Sequence, residues 1–217
     1  MASPFDQSRY QVRMEWGTSG LERVAASDVV VVVDVLRFSS TVARHIEAGE
    51  TVALDAEAHA LSLNGAAVAA RAAESDAVVF LGALVNAAAV AAAVMAEQQR
   101  RAARTSILVI AAGELSSREP GAALRVAVED LLGAGAIVDA LGALGIDHTS
   151  PEAAAHLVSK VRLLAGLRPA LRHLLTAGGS GQELIDRGLR DDVLAAAQVD
   201  AVSSAPVLRD GTFAAYA

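Results

Sequence analysis

A three-layer α/β sandwich, with a mixed or mostly parallel sheet covered on both faces by alanine-rich helices, is the fold this sequence predicts. Three observations carry it. Residues 28–36, Asp-Val-Val-Val-Val-Val-Asp-Val-Leu, form a β-branched run with no polar alternation, the mark of a strand covered on both faces. Short apolar strands then alternate with helical stretches, the order that builds helices onto a largely parallel sheet. Hydrophobic residues make up 53 % of the chain but aromatics only 3 %, so the core is built from Ala, Val and Leu, which let helices pack closely on a sheet. The 217 residues suffice for one domain, 1–217, with a helical C-terminal third.

The elements follow in order. After the valine run, Ser39, Ser40 and Thr41 offer hydroxyls as N-caps for a helix over Val42–Ala48, closed by Gly49. Thr51–Leu54 reads as a short strand, and Ala56–Leu61 and Ala66–Ala73 as helices around the Asn64-Gly65 turn. Val78–Leu81 and Ser106–Ala111 are buried strands. Between them, Ala77–Ala96 is a stretch without charge that reaches nominal membrane-spanning length. About half of it is alanine, and Gly82 and Asn86 interrupt it where a strand would turn into a helix over Val85–Arg101. A loop at Ser116–Gly121 precedes a helix from Ala122 to about Leu132, which Gly133 and Gly135 break or kink before a second stretch to Leu144. Ser150-Pro151-Glu152 starts a helix to about Leu164. Helices at Arg168–Leu175, Gln182–Arg187 and Asp191–Ala197 follow, then extended pieces at Ala201–Ser203 and Pro206–Leu208.

Composition excludes several functions. A formal charge of −7, with Lys160 the single lysine, argues against nucleic acid, which needs a concentrated basic face. The absence of cysteine removes disulfides and thiolate chemistry. Met1–Tyr10 lacks the basic-then-apolar pattern of an export signal, so a cytoplasmic protein without a membrane partner is expected. No phosphate-loop, dinucleotide, G-x-S-x-G or H-E-x-x-H pattern occurs. His45, His59, His148, His156 and His173 are scattered without ligand spacing.

A carboxylate and hydroxyl constellation remains. Asp34 ends the central strand, where open α/β sheets place their ligand crevice. A carboxylate buried there costs several kcal/mol unless paired or bound to a cation. Arg37 adds a planar fork suited to phosphate or sulfonate oxygens, and Ser39, Ser40 and Thr41 sit at a helix start that favours an anion. Together these describe a metal-and-phosphate site; equally, Asp34 and Arg37 form a structural ion pair and the hydroxyls cap the helix. Glu129-Asp130 lies between apolar pairs, so one acid sits near the buried boundary as a magnesium ligand or polariser of water, unless the pair is an ordinary surface one. The Asn64 amide either contacts substrate or belongs to a turn. Gly178-Gly179-Ser180-Gly181 cradles an anion or, more commonly for such a run, links two helices.

Val30–Val42, with Asp34-Val35-Leu36-Arg37, resembles the Val-Ile-Asp-Val-Leu-Arg-Ala-Thr-Thr segment of the 2-phosphosulfolactate phosphatase family. Leu63-Asn64-Gly65, Gly82 with Asn86, Ala111-Ala112-Gly113, Val128-Glu129-Asp130 with Ala134-Gly135, and Gly188 with Asp192-Val193 are similar, in the same order, to later family segments. The resemblance implies a Mg²⁺-dependent phosphatase that hydrolyses 2-phospho-3-sulfolactate, or a related phosphorylated hydroxy acid, to 3-sulfolactate and phosphate. It assigns Asp34, Glu129 and Asp130 to catalysis, with Asp34 and Asp130 on the metal. Arg37, Ser39, Ser40, Thr41 and Asn64 would hold the small anionic substrate. With no cysteine and no Asp-x-Asp nucleophile pattern in the chain, direct attack by metal-bound water is expected rather than a phospho-enzyme. Family segments Gly-Glu-Arg and Gly-Asn-Ser-Pro have no counterpart in Asp55–Ser62, so the alternative is a non-catalytic anion-binding or assembly domain descended from the enzyme. Assembly into a homo-oligomer is left open.

Overall fold

A computed structural model describes residues 3, 5–117, 121–155 and 168–217. At its centre are four parallel strands, β1 (Val12–Trp16), β2 (Val29–Val33), β4 (Val78–Gly82) and β5 (Ile107–Ala111). The sheet runs β1-β5-β2-β4-β8-β9-β3, in which β3 is Val52–Ala53, β8 Pro206–Arg209 and β9 Thr212–Ala215. The last three join antiparallel, so the sheet is mixed but mostly parallel. A two-stranded ribbon, β6 (Glu114–Leu115) with β7 (Leu124–Arg125), extends beyond β5.

Strand alternation divides the core in two. Val29, Val31 and Val33 point to one face with Phe80, Ile107 and Val109. That face is covered by α5 (Ala87–Arg101), α6 (Val128–Ala143), α7 (Arg168–Ala177), α8 (Gly179–Asp186) and α9 (Arg190–Ala196). Val30 and Val32 point the other way with Leu81, Leu108 and Ile110. There the cover is α1 (Gly17–Arg23), α2 (Phe38–Glu47), α3 (Ala56–Leu61) and α4 (Gly65–Ala72). Every side chain of β2 is buried, which is why its sequence shows no alternation. The three-layer expectation therefore holds.

Several expected boundaries move. The uncharged stretch from Ala77 becomes β4, a 3₁₀ turn at Leu84–Asn86 and the start of α5. Buried Asn86 fixes that turn, accepting from Ala83 N–H and donating to the carbonyls of Leu81 and Ser204. No helix among the described residues is long and apolar enough to cross a membrane. The helix expected from Ala122 begins instead at Val128, because Leu124 and Arg125 pair with β6. Gly133 and Gly135 do not break it. A Cβ on Gly133 would lie 2.6 Å from Val35 Cγ2 and 2.9 Å from Val33 Cγ1, so the glycine lets α6 lie directly on β2. Residues 151–155 are helical as expected; the rest of the span expected to be helical, to about Leu164, lies outside the described residues. Strands β1 and β9 and helix α1 were not expected.

Gly133→Ala tests the close approach. Alanine favours a free helix by about 1 kcal/mol, yet here overpacking against the valines should lower stability by about 1–3 kcal/mol. Urea denaturation measures it, and a gain in stability would contradict the packing.

Candidate active site

β2 is flanked by β4 and β5 in register, with Val33 opposite both Gly82 and Ala111. All three strands thus end at one level, and the residues just beyond them form the floor of a cleft of about 230 Å³. This is the carboxyl edge at which open parallel sheets bind ligands. Asp34, Asn64, Glu114, Glu129, Asp130 and Arg37 all line it.

Asp34 is 5 % exposed and fully engaged. Its Oδ1 accepts from Phe38 N–H at 3.2 Å, in the first turn of α2. Its Oδ2 accepts from the Ser62 hydroxyl and from Gly65 N–H, at the start of α4. Two helix N-termini therefore face one carboxylate, where free N–H groups and helix dipoles favour negative charge. A Cβ on Gly65 would fall on Asp34 Oδ2, so only glycine lets α4 approach this closely. Burial is nevertheless the larger effect and raises the Asp34 carboxyl to about 6, with the three donors lowering it and the charge of Glu114 raising it.

Asp130 is 3 % exposed and joins two strand ends, its Oδ1 accepting from Val35 N–H at 2.8 Å and its Oδ2 from Gly113 N–H at 2.9 Å. Burial first, then the charges of Asp34 and Glu129, raise its carboxyl well above the usual range. Glu129, its neighbour in the first turn of α6, differs. It is 4 % exposed, opens to the cleft and has no hydrogen bond or ion pair among the described residues. Across the cleft, Glu114 is held at both oxygens, by Asn64 Nδ2 at 3.4 Å and by Ser180 Oγ at 3.0 Å. Asn64 Oδ1 is buried without a partner.

Placement of the other expected residues is mixed. Arg37, the N-cap of α2, reaches the cleft and pairs with Asp192 Oδ2 at 2.7 Å, not with Asp34; the peptide before it is cis. Ser39, Ser40 and Thr41 are not caps, because α2 begins at Phe38. Ser39 accepts from Asp34 N–H and donates to the Val32 carbonyl, and Ser40 donates to the Val35 carbonyl. Both hydroxyls thus fix the strand-to-helix turn, and none of the three residues lines the cleft. The anion at this helix start is Asp34 itself. The Gly178–Gly181 run opens α8 and delivers Ser180 to Glu114, so it is not a free linker. Ser62, Glu114 and Arg187 carry no motif in the sequence that marks them for the site. Among the described residues, no three side chains of the His, Cys, Asp or Glu type converge as a metal cage.

Two outcomes separate the adjacent acids. Asp130→Asn sets an amide group against a backbone N–H and should cost about 1–3 kcal/mol. Glu129→Gln removes a charge that opens to the cleft with no partner among the described residues and should leave stability equal or higher, both read by chemical denaturation. Stability should also fall as pH rises from about 3.8 to about 6 in a chelating buffer. Folded Asp34 keeps its proton through that window whereas an unfolded aspartate loses it, so the native state binds more protons. Asp34→Asn should remove this share of the slope and leave that of Asp130, whose carboxyl is raised as well.

A family model described as 2-phosphosulpholactate phosphatase matches residues 54–211. The match begins after the Asp34–Thr41 segment and takes in Asn64, Glu114, Glu129, Asp130 and Arg187. No curated protein matches the chain. With most of its length covered by that match, the chain belongs to the 2-phosphosulpholactate phosphatase family, whose members are phosphoric monoester hydrolases.

Proposed function

We propose that this protein hydrolyses 2-phospho-3-sulfolactate, or a related phosphorylated hydroxy acid, in a Mg²⁺-dependent reaction. The observation that carries the reading is the surplus of carboxylates in the cleft. Asp34, Glu114, Glu129, Asp130 and Glu183 face Arg37 and Arg187, and Glu129 is buried with no partner among the described residues. A phosphate dianion would be repelled from such a floor unless a cation entered with it. The available donors are oxygens only, with Asn64 Oδ1 unsatisfied, and they fit a hard cation. Mg²⁺ commonly takes one or two carboxylates plus substrate phosphate and keeps its remaining waters, so a complete protein cage is not required.

Asp34, with Asn64 Oδ1, would hold the cation. When bound, it offsets the charge of the phosphate oxygens as the ester bond breaks. Glu129 takes the proton of the attacking water, the water oxygen bonds to phosphorus, the ester P–O bond breaks, and the alcohol oxygen leaves with a proton from solvent. Asp130 ties the ends of β2 and β5 and so fixes the floor on which this happens; it is assigned to support and not to the metal. Arg37 offers its fork to the anion. Asp34 already accepts three hydrogen bonds, which makes it a poor nucleophile and favours direct attack by water.

The test is phosphate release from 2-phosphosulfolactate and phospholactate, with Mg²⁺ and with chelator. Activity should require the cation. Asp34→Asn and Glu129→Gln should each reduce kcat about 10²-fold or more with the fold intact. A trapped aspartyl-phosphate would overturn the mechanism. Absence of phosphate release from either ester would leave an anion-binding domain.

A further inference from the structure

The cleft has a second, cationic side, of which the hydrolytic reading uses Arg37 and leaves Arg187 without a role. Arg187 sits at the C-cap of α8 and lines the cleft. Among the described residues it pairs with Glu183 at 3.7 Å, beyond hydrogen-bond distance, and both side chains are more than half exposed; such a pair holds an arginine weakly. Arg37 differs. Its guanidinium is fixed at 2.7 Å by Asp192, which lies in the first turn of α9, five residues beyond Arg187 across the turn at Gly188. Arg44 secures the same helix by donating to the Ala195 carbonyl at 2.8 Å. One arginine is therefore clamped, and the other is free to close on a ligand.

We propose that Arg187 is the receptor for the second acidic group of the substrate, a sulfonate or carboxylate, and that Asp192 is a positioning residue that aims Arg37 at the same ligand. The inference rests on the hydrolase reading of the cleft and deepens it. Phosphate goes to the acid-rich floor with its cation. An acidic group that remains, the carboxylate or, in 2-phospho-3-sulfolactate, the sulfonate beside it, meets a guanidinium fork, whose paired N–H groups match its oxygens. The site thereby selects phospho-esters of hydroxy acids over simple phosphate monoesters. A purely structural role for Arg187, as one half of an exposed helical pair, predicts no effect on any ligand.

Calorimetric titration of the full chain with 3-sulfolactate and with inorganic phosphate, in Mg²⁺ buffer, decides between them without turnover. Arg187→Ala should weaken 3-sulfolactate binding about tenfold or more, leave phosphate binding within about twofold, and preserve the circular dichroism spectrum. Arg187→Lys should recover part of the loss. Asp192→Asn should weaken 3-sulfolactate several-fold, and Asp192→Glu should restore it. In steady-state kinetics, Arg187→Ala should raise KM for 2-phosphosulfolactate with kcat nearly unchanged, and leave KM for p-nitrophenyl phosphate as it was. Equal binding of 3-sulfolactate by wild type and Arg187→Ala, or no binding by wild type, overturns the receptor. Loss of binding in Arg187→Ala, in a protein that hydrolyses none of these esters, would instead overturn the hydrolase reading and leave the receptor standing.

Discussion

The burial of one carboxylate governs how this molecule is put together. Asp34 lies at the end of a wholly buried strand, where an unsatisfied charge would be untenable. The starts of α2 and α4, together with the Ser62 hydroxyl, converge on it and supply its donors. That convergence dictates a glycine at 65, sets where α2 begins, and places the Asn64 turn over the sheet edge. Asp130 repeats the solution from the opposite face by bridging the first free N–H groups beyond β2 and β5. Two acids from opposite layers thus stabilise the same sheet edge, and each makes the other harder to ionise.

Such an arrangement separates support from chemistry. Groups whose hydrogen bonds close on the protein, such as Asp130, Ser39 and Ser40, hold the floor in shape. Groups with unmet capacity, such as Glu129 and Asn64 Oδ1, remain to engage what enters. Proximity in sequence is a poor guide to this division, since Glu129 and Asp130 are neighbours with opposite situations. Their side chains leave the first turn of α6 in different directions, one toward the strand ends and one toward the start of α8.

What the sequence disclosed follows the physics of each element. β2 was legible because five consecutive valines buried on both sides leave no other reading. Asp34 was legible by its place at that strand's end. β1 was missed because Arg13, nearly buried, interrupts its apolar pattern; its guanidinium donates to the carbonyls of Tyr10, Ala25 and Ala26. β9 follows an Asp210-Gly211 pair with φ of 49° and 75°, a hairpin signal present in the sequence but passed over. The start of α2 was misplaced because its cap comes from Asp34 and not from the hydroxyls beside it. Ser62 and Glu114, and the bond from Ser180 of the Gly178–Gly181 run to Glu114, could not be found by spacing, since the contacts join segments 28 and 66 residues apart that share no motif.

The far edge of the sheet has a consequence for how the chain acquires its shape. Among the described strands, β3 pairs only with β9, Val52 meeting Phe213. An early segment therefore waits for a very late one, and nothing near it in the chain can template its alignment. The entropy of closing so long a loop grows only slowly with length, so the delay is a matter of order more than of final energy. During synthesis Val52 and Ala53 stay without their ladder until Thr212 and Phe213 have emerged. The late segments before β8 bring α8 to the cleft and, in α9, the Asp192 that holds Arg37, so a nascent chain can complete its central strands well before it possesses a finished binding surface.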